Sequence, residues 1–136
     1  METTANALRR ILIVEDNEDN RDILVLRLKS FGGFDILEAS NGKEALEIVE
    51  KSRPDLIVMD LNMPVLNGWE ATRALRSKNW GRHIPIIALT AYAMDGDQER
   101  ALSCGCDDYI AKPITDHSII LRKIHKLLQL PRPFPS

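Results

Sequence analysis

Leu56-Ile57-Val58-Met59-Asp60 is an unbroken run of four apolar residues closed by a carboxylate. It is too short for a stable helix, and a strand wet on one face would alternate apolar with polar residues. A continuous β-branched run instead suits a strand covered on both faces, the situation of a central strand in a parallel sheet. Ile11-Leu12-Ile13-Val14 and Pro85-Ile86-Ile87-Ala88-Leu89 have the same character. Asp35-Ile36-Leu37 is weaker and is expected at a sheet edge, and Asp108-Tyr109-Ile110-Ala111 is the fifth run.

Between these runs the apolar spacing turns helical. Ala45, Leu46, Ile48 and Val49 form a stripe opposite Lys43, Glu44, Glu47 and Glu50. Asn41 with Glu44, Asn67 with Glu70 and Asp95 with Gln98 repeat an N-cap spacing ahead of three helices. A first helix is expected over about Asp19 to Ser30, ended by Phe31-Gly32-Gly33, a fourth from Asp95 to about Ser103, and a last from Asp116 to Leu130, stopped by Pro131. Five strand-then-helix units mean an α/β fold on a five-stranded parallel sheet.

The chain of 136 residues fits one domain and is large enough to fold without a metal or disulfide staple. Hydrophobic residues at 44% and charged residues at 28% exclude a disordered, collagen-like or membrane chain. A net charge of -2 argues against a dedicated nucleic-acid binder. The first ten residues and the short apolar run behind them make neither a signal peptide nor a membrane span. Cys104 and Cys106, one residue apart, make a poor structural disulfide and no zinc framework, and reduced thiols suggest a cytoplasmic location. His83, His117 and His125 show no ligand spacing.

Reactive residues stand where the strands end: Glu15-Asp16 after the first, Asp60 after the third, Thr90 after the fourth and Lys112-Pro113 after the fifth. In open α/β sheets the carboxyl ends of the strands carry the site. Singly, an Asp there reads as a cap or turn residue. Together, Glu15, Asp16 and Asp60 crowd three carboxylates that need a cation, and oxygen ligands with retained water suit Mg²⁺. Lys112 adds a fixed positive charge and Thr90 a hydroxyl donor, a set fit to stabilise a phosphoryl group arriving on an aspartate nucleophile. Asp60, on a central strand, is the candidate.

At these positions the sequence resembles the receiver domain of two-component response regulators. The resemblance is carried by Glu15-Asp16, by Asp60-Leu61-Asn62-Met63-Pro64 with Gly68, by Thr90-Ala91, by Tyr109 and by Lys112-Pro113, and it covers about Arg10 to Leu130. It implies a flavodoxin-like fold with strand order 2-1-3-4-5. It implies that Asp60 is the phosphoacceptor, that Asp16 and Asp60 bind Mg²⁺ directly, that Glu15 does so through water, and that the Asn62 backbone carbonyl completes the shell. Thr90 and Tyr109 would form a switch pair, Tyr92 would lie where it can screen water from the phosphoryl group, Lys112 would be the phosphate counter-charge, and the bond to Pro113 would be cis.

The implied function is a phosphorylation-dependent switch, not a classical enzyme. A histidine kinase or histidine phosphotransfer protein would supply the phosphoryl group, and a protein partner would read the face of the fourth helix, fifth strand and fifth helix. Nucleic-acid binding and membrane insertion are not expected. Residues 1–9 read as an extension, 10–130 as the receiver and 131–136 as a Pro-rich tail, with a complete single-domain protein favoured over a piece of a hybrid kinase or transcription factor. A haloacid-dehalogenase-type phosphatase would carry an Asp where Asn62 stands. A flavin carrier would need a phosphate loop in place of Glu15-Asp16-Asn17-Glu18-Asp19.

Overall fold

A computed structural model describes residues 8–61, 67–90, 97–112, 114 and 116–130. The elements alternate as β1 (Arg9–Val14), α1 (Glu18–Phe31), β2 (Phe34–Ala39), α2 (Gly42–Ser52), β3 (Leu56–Asp60), α3 (Gly68–Arg76), β4 (Ile86–Thr90), α4 (Asp97–Cys104), β5 (Asp108–Ala111) and α5 (Ser118–Leu127). The five strands are parallel in the order β2-β1-β3-β4-β5, so the weak second strand lies at an edge as expected.

The continuous apolar runs divide by parity, because successive side chains of a strand point to opposite faces. Ile11, Ile13, Leu56, Val58, Ile87, Leu89 and Ile110 pack on one face against Leu24, Val25 and Leu28 of α1 and Ile120, Leu121 and Ile124 of α5. Leu12, Val14, Ile57, Met59, Ile86 and Ala88 pack on the other against Ala45 and Val49 of α2 and Ala71 and Leu75 of α3.

Asn41 caps α2 by accepting from the Glu44 N–H, and Asn67 caps α3 by accepting from the Glu70 N–H. Asn17 does the same for α1 through the Asn20 N–H. Glu44 also accepts from the backbone N–H and the hydroxyl of Ser40, closing a reciprocal box one residue wider than the usual one. Asp95 lies outside the described residues.

The last helix is shorter at both ends than its periodicity suggests. Asp116 accepts from the N–H and hydroxyl of Ser118, which begins the helix there. At the other end Gln129 adopts φ 58, its N–H bonds the Lys126 carbonyl, and the Leu130 N–H bonds the His125 carbonyl. This is the Schellman pattern, so hydrogen bonding ends the helix at Leu127 before Pro131 is reached.

Gly68 opens α3 directly against the Asp60 and Leu61 backbone, where a β-carbon would overlap the Asp60 carbonyl. Arg76, at the other end of α3, donates to the carbonyls of Gly81, Arg82, Ile84 and Gly105 and to the Asp107 carboxylate. No helix among the described residues is long and apolar enough to cross a membrane.

Candidate phosphoryl-transfer site

Parallel pairing brings the strand ends to one rim, and the ladder extends past three of them. The Glu15 N–H bonds the Ala39 carbonyl at 3.1 Å, the Leu61 N–H the Leu89 carbonyl at 2.9 Å, and the Lys112 N–H the Thr90 carbonyl at 2.8 Å. The residues at the rim are therefore held by sheet geometry. Alternation then gives Glu15, Asp60 and Lys112 the parity of the α1/α5 face, and Thr90 and Tyr109 the parity of the α2/α3 face.

Glu15 and Asp60 are each only 1% exposed, while Asp16 is exposed. One carboxylate oxygen from each of the three lies within 4.8 Å of the others. Lys112 Nζ stands 2.9 Å from Glu15 Oε1 and 3.1 Å from Asp60 Oδ2. Burial alone would push the Lys112 ammonium down, but its hydrogen bond to Glu15 and the charge of Asp60 outweigh that and hold it above the ordinary lysine range. Two buried carboxylates thus share one half-buried cation, with a third carboxylate at the solvent edge. The surplus is negative, the donors are hard oxygens, and the edge is open to water, which fits a divalent ion of the Mg²⁺ type.

Thr90 is 2% exposed at the end of β4. Register pairs Ala88 with Tyr109 and Thr90 with Ala111, so the half-buried Tyr109 faces an alanine, with Thr90 two residues further along the same face. Asn62, Tyr92 and Pro113 lie outside the described residues, and with them the expected carbonyl ligand, water screen and cis bond.

No motif announces two further parts of the site. Arg21 donates to the Glu15 carbonyl at 2.8 Å and pins the acidic turn to α1. A cleft of about 530 Å³ opens beside Lys112, walled by Asn20, Ile23, Leu24, Leu89, Ile114 and His117. Its apolar wall from α1 combines Leu24 of the buried stripe with Ile23, a residue off it. His117 is lowered from its ordinary value by burial and by nearby Arg27, so the cleft wall is neutral there at pH 7.

Residues 11–124 match the response regulator receiver domain model. The chain is 45% identical over 107 residues to the polar-differentiation response regulator DivK of Brucella anthropi, covering 79% of this chain and 86% of that one. Among solved structures it is similar to the receiver domain of sensor histidine kinase PA1611 from Pseudomonas aeruginosa, which has a magnesium ion coordinated in its active site cleft, with 39% identity, a TM-score of 0.83 and coverage of 90% and 99%. It is also similar to the receiver domain of Ssk1, solved with the histidine phosphotransfer protein Ypd1 of Saccharomyces cerevisiae, with 34% identity, a TM-score of 0.80 and 88% of each chain covered. With these strand-end residues on this sheet, the chain belongs to the receiver-domain family of two-component response regulators.

Proposed function

We propose that Asp60 accepts a phosphoryl group from a phosphohistidine and that Thr90 and Tyr109 convert its arrival into a change on the α4–β5–α5 surface. The observation that carries the reading is the buried Asp60 carboxylate, 3.1 Å from Lys112 Nζ and grouped with Glu15 and Asp16. Asp16, Asp60 and Glu15, the last through water, would hold Mg²⁺, with the Asn62 carbonyl as a further ligand. Bound there, the ion supplies charge neutralisation for the phosphoryl oxygens.

An Asp60 carboxylate oxygen attacks phosphorus, the O–P bond forms as the N–P bond to the donor imidazole breaks, and the imidazole nitrogen takes a proton from solvent. Lys112 exchanges its contact with Asp60 for one with the incoming phosphoryl oxygens. The donor approaches through the cleft beside Lys112, which suits a histidine kinase or histidine phosphotransfer protein; the Ssk1 receiver solved with Ypd1 supports such a partner. The Thr90 hydroxyl donates to a phosphoryl oxygen, and Tyr109 turns into the space beside Ala88 and Thr90. A protein partner then reads the altered face as a population shift. The module catalyses only its own phosphorylation and hydrolysis, in the cytoplasm, and with a net charge of -2 it needs neither nucleic acid nor membrane.

Acetyl phosphate with Mg²⁺ should add one phosphate to the chain by mass spectrometry and none to Asp60→Asn. Excess EDTA should abolish the wild-type addition. Undiminished labelling of Asp60→Asn would remove Asp60 from the mechanism.

A further inference from the structure

We propose that Cys104 and Cys106 form an oxidation site that a small peroxide closes to an intramolecular disulfide, tying the end of α4 to the start of β5. The two sulfurs already meet at 4.0 Å in a thiol contact, and a disulfide would draw them to about 2.0 Å. Neither thiol has a part in phosphoryl transfer.

The turn between them is built to keep the pair together. Gly105 has φ 118, and a β-carbon there would come within 2.7 Å of Arg76 Cγ, so only glycine allows this approach. Arg76 Nε donates to the Gly105 carbonyl at 2.8 Å, and its guanidinium also reaches Asp107, on the far side of Cys106, at 2.9 Å. Asp107 in turn accepts from the Ile86 N–H at 2.8 Å and donates its own N–H to the Ile86 carbonyl at 2.8 Å. The backbone on both sides of the dithiol is thus anchored to α3 and β4, and ring closure has little chain entropy left to lose.

The two sulfurs differ in surroundings, which sets the order of events. Cys104 is half-buried at the helix end, whereas Cys106 is buried in the core, 3.8 Å from the Thr72 hydroxyl. Cys106, at 5% exposure, is shielded from solvent, and contact with the Cys104 sulfur and then burial push its thiol up. Cys104 therefore meets the oxidant first. Its sulfur attacks a peroxide oxygen, the O–O bond breaks, and the departing hydroxide leaves as water with the thiol proton, giving a sulfenic acid. The Cys106 sulfur then attacks the Cys104 sulfur, the S–O bond breaks, and hydroxide leaves as a second water with the Cys106 proton. Two thiols and one hydrogen peroxide become one disulfide and two waters.

Closure draws Cys106 away from Thr72 and shifts the entry of β5, the strand that carries Tyr109. That signalling consequence rests on the proposed switch; the disulfide does not.

The test uses the full chain, fully reduced, then exposed to hydrogen peroxide, with remaining thiols trapped by N-ethylmaleimide in guanidinium chloride. The wild type should lose the mass of two hydrogens, take up no maleimide at either cysteine, remain a monomer on a non-reducing gel and revert with dithiothreitol. Cys106→Ser should accumulate sulfenic and sulfinic acid at Cys104, while Cys104→Ser should keep Cys106 reduced and trappable. Wild-type chains carrying sulfinic acid at Cys104 with Cys106 still trappable, or linked as disulfide dimers, would overturn the proposal. Amide NMR of the oxidised wild type should move Tyr109. These mass readouts need no phosphate on Asp60, so failure of the redox reading and failure of the phosphorylation reading are told apart.

Discussion

The two faces of the sheet are built from different materials. On the α1/α5 face every buried member of the core is a hydrocarbon side chain, from Ile11, Ile13 and Val58 to Leu28 and Ile124. On the α2/α3 face the buried set mixes large aliphatics such as Leu12, Ile57, Leu75 and Ile86 with Ala39, Ala45, Ala71 and Ala88, Met59 and Cys106, and Trp69, Trp80, Cys104 and Tyr109 pack partly against it. Large interlocking hydrocarbons leave a core few alternative arrangements. Small residues next to aromatics and sulfur make that face the more varied of the two, and the proposed rotation of Tyr109 and the proposed closure of the dithiol both fall on it. The charges follow the opposite parity, so the rigid face backs Glu15, Asp60 and Lys112 while the adaptable face backs Thr90 and Tyr109.

The largest effect that would test this contrast is on stability. Leu28→Ala and Ile124→Ala should each cost about 2–5 kcal/mol in urea unfolding, whereas Cys106→Ala should cost about 1 kcal/mol because a small side chain leaves a small void. Equal losses on both faces would erase the distinction. Next in size is the switch. Thr90→Ala should still accept phosphate from acetyl phosphate, yet lose the coupling of about 1–3 kcal/mol typical of such devices. Amide NMR with the beryllofluoride mimic should then show shifts confined to the Asp60 pocket, where the wild type also moves Tyr109, α4 and α5.

Asp60→Asn in EDTA should be more stable than the wild type by about 1 kcal/mol, and so melt higher, because it removes one of three crowded carboxylates and leaves Lys112 to Glu15. Mg²⁺ should raise the wild-type melting temperature and leave this variant unchanged. A lower melting point for Asp60→Asn would mean that the Lys112 contact outweighs the repulsion. The smallest effect lies at the edge. The Ser40 hydroxyl and N–H hold Glu44 below its ordinary 4.5, so its contribution is complete above that pH and is lost as pH falls through the folded value. Glu44 is exposed, and the wild type should lose only a few tenths of a kcal/mol relative to Glu44→Gln across that acid range.

Much of this is legible from local pattern. The runs Ile11–Val14, Leu56–Met59 and Ile86–Leu89 report both-sided burial directly, and Glu15, Asp60, Thr90 and Lys112 each stand at or immediately after a strand end. Caps at Asn41 and Asn67 need only a four-residue window. The Lys112 bridge to Glu15 joins residues at opposite ends of the chain, and its geometry depends on strand order and register, which periodicity does not encode. Gly68 belongs to a motif, but its approach to the Asp60 backbone emerges only once α3 is docked. The end of α5 escapes the pattern because a Schellman turn on Gln129 has no glycine to advertise it.

Arg76 has a consequence for how the molecule opens. Its guanidinium bonds the carbonyls of Gly81, Arg82 and Ile84, which lead into β4, and that of Gly105, which leads into β5. Neither connection can swing outward without breaking bonds to the same side chain, so the two loops share one local opening reaction despite their distance in sequence. Amides on both sides of this clasp should therefore exchange with a common protection in native-state hydrogen exchange, and Arg76→Ala should uncouple them.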